Sequence, residues 1–319
     1  MPGLVRHFAQ YAADVAPAAA TSQRLLEVGC NDGVFLRPLR RVGYDVVGID
    51  ASDNVAAIAR AQGLSVVTGF FNVDAAESLR TTYGVFDVVT CSNVFAHIPD
   101  IQDFLNAVNV VLDPRRGEFW VEVHSADRLF AELQWDCFYH EHCFYWTIRA
   151  LVHCLSARGF RLNRYALTPM HGGGIRARFT RQAGTSAAIA EPELSPEDWL
   201  AFAVRCERSR QLVNECVLAL GLRYAYGAAG RAVTLINWAG LGGLLDFAVD
   251  GSPLRYGKYI PNTNIRIVAE EEFLSRGEPG KFCFVTAHNY LAEIRKKVER
   301  AFPLSDTRFV TPLPDVRIQ

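Results

Sequence analysis

The sequence predicts an α/β chain of two domains, each a largely parallel sheet with crossover helices on both faces. Three observations carry that expectation. Short apolar runs of strand length alternate with segments whose apolar residues recur every three or four positions. The first run ends in a glycine turn, the kind of strand end at which open parallel sheets bind ligands. A stretch rich in Ala and Glu then breaks the alternation, and a second alternating series follows it.

Taken in order, Leu4, Val5, Phe8, Tyr11 and Val15 fall at near-helical spacing, so residues 1–23 are read as an N-terminal helix. Residues 24–28 read as a strand, 31–41 as a helix, 45–49 as a strand, 52–61 as a helix, and 65–68 and 86–90 as strands. Asp100 caps a helix with the apolar stripe Ile101, Phe104, Leu105, Val108 and Leu112. Residues 118–123 form the next strand. A helix over 147–158 stops at Gly159, where a left-handed residue is wanted, and 175–180 alternates as a half-buried strand should. The first domain is thus expected over 24–182. Residues 183–221 read as a linker and a helix opened by Ser195-Pro196-Glu197-Asp198: a serine cap, proline in the first turn, then two carboxylates. The second domain is expected over 222–319, with strands at 222–226, 244–249 and 282–286 and helices ending near Trp238 and Phe302.

The 319 residues are half apolar, and their net charge is -1 with no long run of one sign. That balance lacks the basic footprint of a nucleic-acid binder and favours a small-molecule partner. No secretory signal or membrane span is legible, and the cysteines form no C-x-x-C pair. Reduced, mostly buried thiols in a cytoplasmic protein are expected.

The sharpest signal is Leu26-Glu27-Val28-Gly29-Cys30-Asn31-Asp32-Gly33. A nicotinamide fingerprint would need glycines at 31 and 34, where Asn31 and Val34 stand. The run instead resembles the first motif of class I S-adenosylmethionine (SAM)-dependent methyltransferases. That resemblance implies that Glu27 lies near the methionine amino group and that the turn from Gly29 to Gly33, with Asn31 and Asp32, packs on the methionine part. Asp50 ends the second strand about 20 residues on, where a carboxylate can accept both ribose hydroxyls. Gly69, Phe70 and Phe71 follow the third strand and are candidates for the adenine face. Ser92 and Asn93 follow the fourth and are candidates for the sulfonium region.

Phe138-Tyr139-His140-Glu141-His142 is the second unusual cluster. A helical zinc site needs H-E-x-x-H, and here the second histidine directly follows the glutamate, so no metal is expected. His97 and the run His171-Gly172-Gly173-Gly174-Ile175-Arg176 fall in other loops of the same sheet.

From Glu27 to Arg178 the chain resembles the deoxysugar C-methyltransferases of antibiotic biosynthesis, which act on nucleotide-linked keto-sugars. The resemblance rests on the Glu27 motif, Asn93-Val94-Phe95-Ala96-His97-Ile98-Pro99-Asp100, Tyr139-His140-Glu141-His142 and His171-Gly172-Gly173. Tyr226-Gly227-Ala228-Ala229-Gly230, Lys258-Tyr259-Ile260-Pro261 and Asn289-Tyr290-Leu291-Ala292-Glu293-Ile294 resemble that family's C-terminal domain. It implies a class I SAM methyltransferase Rossmann-like domain followed by a smaller Rossmann-like domain. It also implies catalysis by His142 as base, Glu141 orienting it, and Tyr139 and His97 on substrate oxygens, with His171, Gly172 and Arg176 on the acceptor. A carbon beside a ketone is weakly acidic, and imidazole suits its deprotonation at neutral pH. The chain departs from the family in lacking a cysteine-rich zinc domain before Arg24, and in Arg231 and Ala232 where lysine and glycine are usual. Both departures touch the acceptor side, so a non-sugar natural-product acceptor stays open. A SAM-binding module without catalysis is the reading of another class, and Tyr139, Glu141 and His142 argue against it because a pure binder needs no base.

Overall fold

The computed structural model describes residues 2–16, 23–181 and 184–319. They form two compact units: Met1–Asp127 with His142–Pro192, and Arg128–Glu141 with Glu193–Gln319.

The first unit runs α1 (Pro2–Val15), β1 (Gln23–Val28), α2 (Leu36–Arg41), β2 (Tyr44–Asp50), α3 (Asp53–Ala61), β3 (Ser65–Thr68), α4 (Val73–Tyr83), β4 (Val88–Ser92), α5 (Ile101–Val111) and β5 (Glu118–His124). Helix α6 (Ala126–Ala131) follows, and after the segment assigned to the second unit come α7 (Ile148–Ser156), β6 (Arg161–Thr168) and β7 (Gly174–Thr180). The seven strands lie in the order β3-β2-β1-β4-β5-β7-β6. The first five are parallel, and β7 and β6 are added antiparallel. Central strands buried on both faces read as continuous apolar runs, as Leu25, Leu26, Val88, Val89 and Cys91 do. One face packs under α4, α5 and α7, and the other under α1, α2 and α3.

Four sequence expectations are corrected in this unit. The N-terminal helix is no separate segment: Phe8, Tyr11, Ala12 and Val15 are buried against Leu25, Phe35 and Leu36. The helix expected from residue 31 begins only at Leu36, because Asn31 (φ 50°) and Gly33 (φ 78°) hold the intervening chain in left-handed turns. The stretch Arg128–Glu141 leaves the first unit, so the expected domain 24–182 is interrupted. Part of the expected linker stays with the first unit, where Ala187 and Ile189 pack on its core. No boundary is given to Gln182 and Ala183, which lie outside the described residues.

The second unit is built on α8 (Pro196–Leu220), β8 (Tyr224–Tyr226), α9 (Gly230–Trp238), β9 (Phe247–Asp250), β10 (Arg266–Ala269), α10 (Glu270–Arg276), β11 (Phe282–Phe284), α11 (Leu291–Ala301), β12 (Arg308–Thr311) and β13 (Arg317–Ile318). Its sheet has the order β10-β9-β8-β11-β12-β13, parallel except for β13. The Ser195 side chain caps α8, and Asp198 returns the bond to complete a capping box. Among the described residues no helix is long and apolar enough to cross a membrane, no group of three or more His, Cys, Asp or Glu is placed to hold a metal ion, and the cysteines are free thiols.

One buried ion cluster fastens this unit. Asp136 is fully buried; it accepts two bonds from Arg231, at 2.7 and 2.8 Å, and lies 3.0 Å from His288 Nε2. Burial alone would raise its carboxyl, but the charge of Arg231 and the bonds from His288 and Arg231 outweigh that and hold it down at about 2. Removing one partner of a buried pair strands the other. Arg231→Met is therefore expected to destabilise the second unit by about 3 kcal/mol in denaturant titrations near neutral pH. Since the folded carboxyl is depressed from 3.8 to about 2, this contribution is complete above the ordinary carboxylate range and fades as pH falls toward 2. Equal midpoints for the two proteins at neutral pH would contradict the assignment.

Candidate active site

Because β1 to β4 are parallel neighbours, their C-terminal ends open on one edge of the first sheet. The loops that follow enclose a cavity of about 930 Å³, a size suited to a small organic ligand. Its lining includes Glu27, Gly29, Asn31, Asp32, Asp50, Gly69, Phe70, Phe71, Ser92, Asn93 and His97, which the sequence had singled out.

Gly29 turns the chain at φ 73°, and a Cβ there would come within 2.2 Å of Val94 Cγ2. No L side chain fits between the first and fourth strand ends at this point. Glu27 sits just before that turn, 3 % exposed, and its Oε2 has no hydrogen-bond partner among the described residues. Burial, with the nearby charges of Asp50 and Asp32, pushes its carboxyl well above the ordinary range. A buried, unmatched carboxylate oxygen in a cavity wall is a seat for a cation that can donate hydrogen bonds.

Asp50 accepts from the backbone N–H of Asn31 at 2.8 Å and from that of Ser52 at 2.9 Å. Each of its oxygens retains a lone pair, so the carboxylate is oriented yet still able to accept hydroxyls. The turn braces itself: Asn31 Oδ1 accepts from Asp32 N, and Asp32 Oδ1 from Val34 N. Phe71 packs edge-on against Phe104 of α5, whereas Phe70 is 81 % exposed at the cavity rim. Ser92 Oγ donates to Glu122 at 3.1 Å, and Asn93, at φ 55°, donates its N–H to the Glu122 carbonyl at 2.7 Å.

Two expectations about binding residues are corrected. Gly33 does not line the cavity; a Cβ on it would meet Leu64 Cδ1 at 2.3 Å, so this glycine serves the packing behind the loop. Arg176, expected on the acceptor, is committed to other partners and does not line the cavity. It is 6 % exposed and faces inward, paired with Glu122 and Asp14 and lying 3.8 Å over the Tyr11 ring. Gly172 closes a short 3-10 turn over Met170–Gly172, at φ 93°, while the side chain of His171 lies outside the described residues.

Of the catalytic candidates, His97 lines the cavity, and the half-buried His142 faces it with ring centroids 4.9 Å apart. His142 also meets Tyr145 edge-on at 5.6 Å. Tyr139 and Glu141 belong to the second unit, where the Tyr139 ring lies about 4 Å from the point at which a Gly230 Cβ would stand. Sequence reasoning missed Leu4, Val5 and Phe8 of α1, together with Asn72 and Asp103, all of which line the cavity. The amphipathic stripe of α1 was legible, but a stripe does not say which surface it covers.

A methyltransferase-domain family model matches residues 3–164, and a C-methyltransferase C-terminal domain model matches residues 169–314. C-methyltransferase NovU of Streptomyces niveus is 31 % identical over 311 residues, covering 92 % of this chain and 73 % of that protein. The ubiquinone biosynthesis O-methyltransferase of Bordetella avium (strain 197N) is 34 % identical over 110 residues, which are 34 % of this chain and 46 % of that enzyme. Among solved structures, magnesium protoporphyrin IX methyltransferase from Synechocystis PCC 6803 with bound SAH is similar at 16 % identity and a TM-score of 0.45, over 56 % of this chain and 84 % of that one. With two domain models matching successive parts of the chain and a relative of the same kind aligned along 92 % of it, the chain belongs to the C-methyltransferase family and is a SAM-dependent enzyme of C-methyl transfer.

Proposed function

We propose that this enzyme methylates a carbon next to a ketone on a nucleotide-linked deoxysugar, as part of natural-product biosynthesis in the cytoplasm. The observation that carries the chemistry is the His97–His142 pair at the edge of the Glu27 cavity, two imidazoles 4.9 Å apart beside a seat for a cationic cofactor. The sugar rests on the histidine-rich motifs, and methyl transfer to carbon on the similarity to the C-methyltransferase NovU along most of the chain.

In this reading Glu27 accepts hydrogen bonds from the cofactor's ammonium, Asp50 holds its ribose, and Phe70 and Phe71 border its adenine. Asn31, Asp32 and the Gly29 backbone wall its methionine end, and Ser92 and Asn93 border the sulfonium. When bound, SAM supplies an electrophilic methyl group. His142 removes the proton from the acceptor carbon, and His97 holds the ketone oxygen on which negative charge develops. Closing this region to water strengthens each of those interactions.

A non-sugar acceptor is the second reading. It is favoured by Arg231, whose guanidinium is committed to Asp136. The test is incubation in D2O with a keto-sugar nucleotide and, separately, with apolar keto acceptors, followed by mass spectrometry. The proposal expects exchange of the acidic hydrogen without SAM and gain of one methyl with it, for the keto-sugar nucleotide alone. Methylation confined to the apolar acceptors would favour the second reading, and methylation at oxygen would sink both.

A further inference from the structure

We infer that His7 is a positioning residue for the cofactor: it fastens α1 as a wall of the SAM cavity and ties that wall to the loop bordering the reacting methyl. This rests on the reading that the Glu27 cavity holds SAM.

Register across three strands creates the anchor. Ser92 of β4 pairs with Glu122 of β5, and Glu122 pairs in turn with Arg176 of β7, so the three side chains form a row across the sheet. On α1, His7, Tyr11 and Asp14 share a stripe that lies over this row. His7 Nε2 stands 2.6 Å from Glu122 Oε1, and Arg176 Nε donates to Glu122 Oε2 at 2.8 Å. Arg176 also bonds Asp14 at the far end of the helix, while its guanidinium covers the Tyr11 ring.

Glu122 is 1 % exposed and the His7 side chain 9 %. Burial alone would raise the Glu122 carboxyl; the bond to His7 and the charge of Arg176 outweigh it, so the carboxylate stays below its ordinary range. An ionised carboxylate can only accept, so at 2.6 Å His7 Nε2 is the donor; Arg176 Nη2 stands farther from the same nitrogen, at 3.3 Å.

Two links run from this anchor to the cavity. On one side, Leu4, Val5 and Phe8 flank His7 on α1 and line the cavity themselves. On the other, Glu122 receives the Ser92 hydroxyl at 3.1 Å, and its carbonyl receives the N–H of Asn93, which holds a left-handed backbone at φ 55°. The same glutamate thus fixes the α1 wall and the loop after β4. Without the His7 bond, the helix loses its tie nearest the cavity while the Asp14–Arg176 tie at its other end persists. The fold should survive, and grip on the cofactor should not.

The test measures S-adenosylhomocysteine affinity by calorimetry, together with KM for SAM and for the acceptor, in His7→Ala, His7→Gln and Glu27→Ala. Loss of one charge-assisted hydrogen bond predicts that His7→Ala weakens S-adenosylhomocysteine and raises KM for SAM by about tenfold, with the acceptor KM unchanged. His7→Gln, whose amide can still donate to Glu122, should recover most of the affinity. A purely structural role would lower thermal stability in both variants without that split or rescue. Normal affinity in His7→Ala beside lost binding in Glu27→Ala overturns this inference alone; normal binding in Glu27→Ala overturns the cavity assignment beneath it. If His7→Ala does not fold, hydrogen exchange on the unaltered protein decides. Added S-adenosylhomocysteine should slow exchange along α1, and unchanged exchange there overturns the inference.

Discussion

His142→Ala is expected to lower turnover about a thousandfold while S-adenosylhomocysteine still binds within about twofold of the unaltered affinity. The asymmetry follows from position. His142 is not among the residues lining the cavity that Glu27, Gly29 and Asp50 build; its ring lies 4.9 Å from that of His97, which is. Removing it leaves the Glu27 cavity intact and removes the group assigned to the proton transfer. General-base loss typically costs 10²- to 10⁴-fold, and a carbon acid places the loss toward the upper part of that range. Steady-state kinetics and calorimetry on one preparation check both halves. Turnover within tenfold of the unaltered enzyme would move the base elsewhere, with His97 the next residue to replace.

Glu27→Gln is expected to weaken SAM about a hundredfold and yet to raise the melting temperature of the cofactor-free protein. The first effect is the loss of a charge-assisted contact between a buried carboxylate and an ammonium, worth about 2–3 kcal/mol. The second comes from desolvation: in the free protein Glu27 is buried, one oxygen is unmatched among the described residues, and its carboxyl lies well above the ordinary range. A carboxyl raised in the folded state binds its proton more tightly there than in the unfolded chain. Stability is therefore lost as pH climbs from the ordinary carboxylate range through the raised value. Glutamine has no such loss, so the advantage of the variant should be small near pH 4 and grow as pH rises above it. Melting curves across that range check it, and a variant less stable at every pH would contradict the burial argument.

Much of the first sheet and of its cavity edge was legible because each signal was local. The apolar runs at β1 and β4, the turn at Gly29 and the carboxylate of Asp50 declare themselves within a few residues, and the structure brings them to one cavity. What escaped was decided at long range. β6 is an edge strand in which Leu162 alone is buried, so its pattern is diluted by Arg161, Asn163 and Arg164. Gly33 belongs to a motif by spacing, but its task is set by Leu64, a residue the motif does not contain. The alternation of β7 places Arg176 on one of two faces without naming it, and its partner Glu122 lies on a different strand. A glutamate inside the otherwise apolar Phe119–Val123 run was the available hint, since a buried acid needs a partner. The sequence run Tyr139 to His142 also looked like one loop, whereas the fold divides it between two compact units after Glu141.

The cavity at the ends of β1 to β4 is the proposed cofactor seat. A crystal structure of the complex with S-adenosylhomocysteine tests this most directly. It is expected to show the amino group bonded to Glu27 Oε2, the ribose hydroxyls on Asp50 and the sulfur on the side of His97. A cofactor bound anywhere else, or one lying in this cavity with Glu27 Oε2 still unbonded, would contradict it.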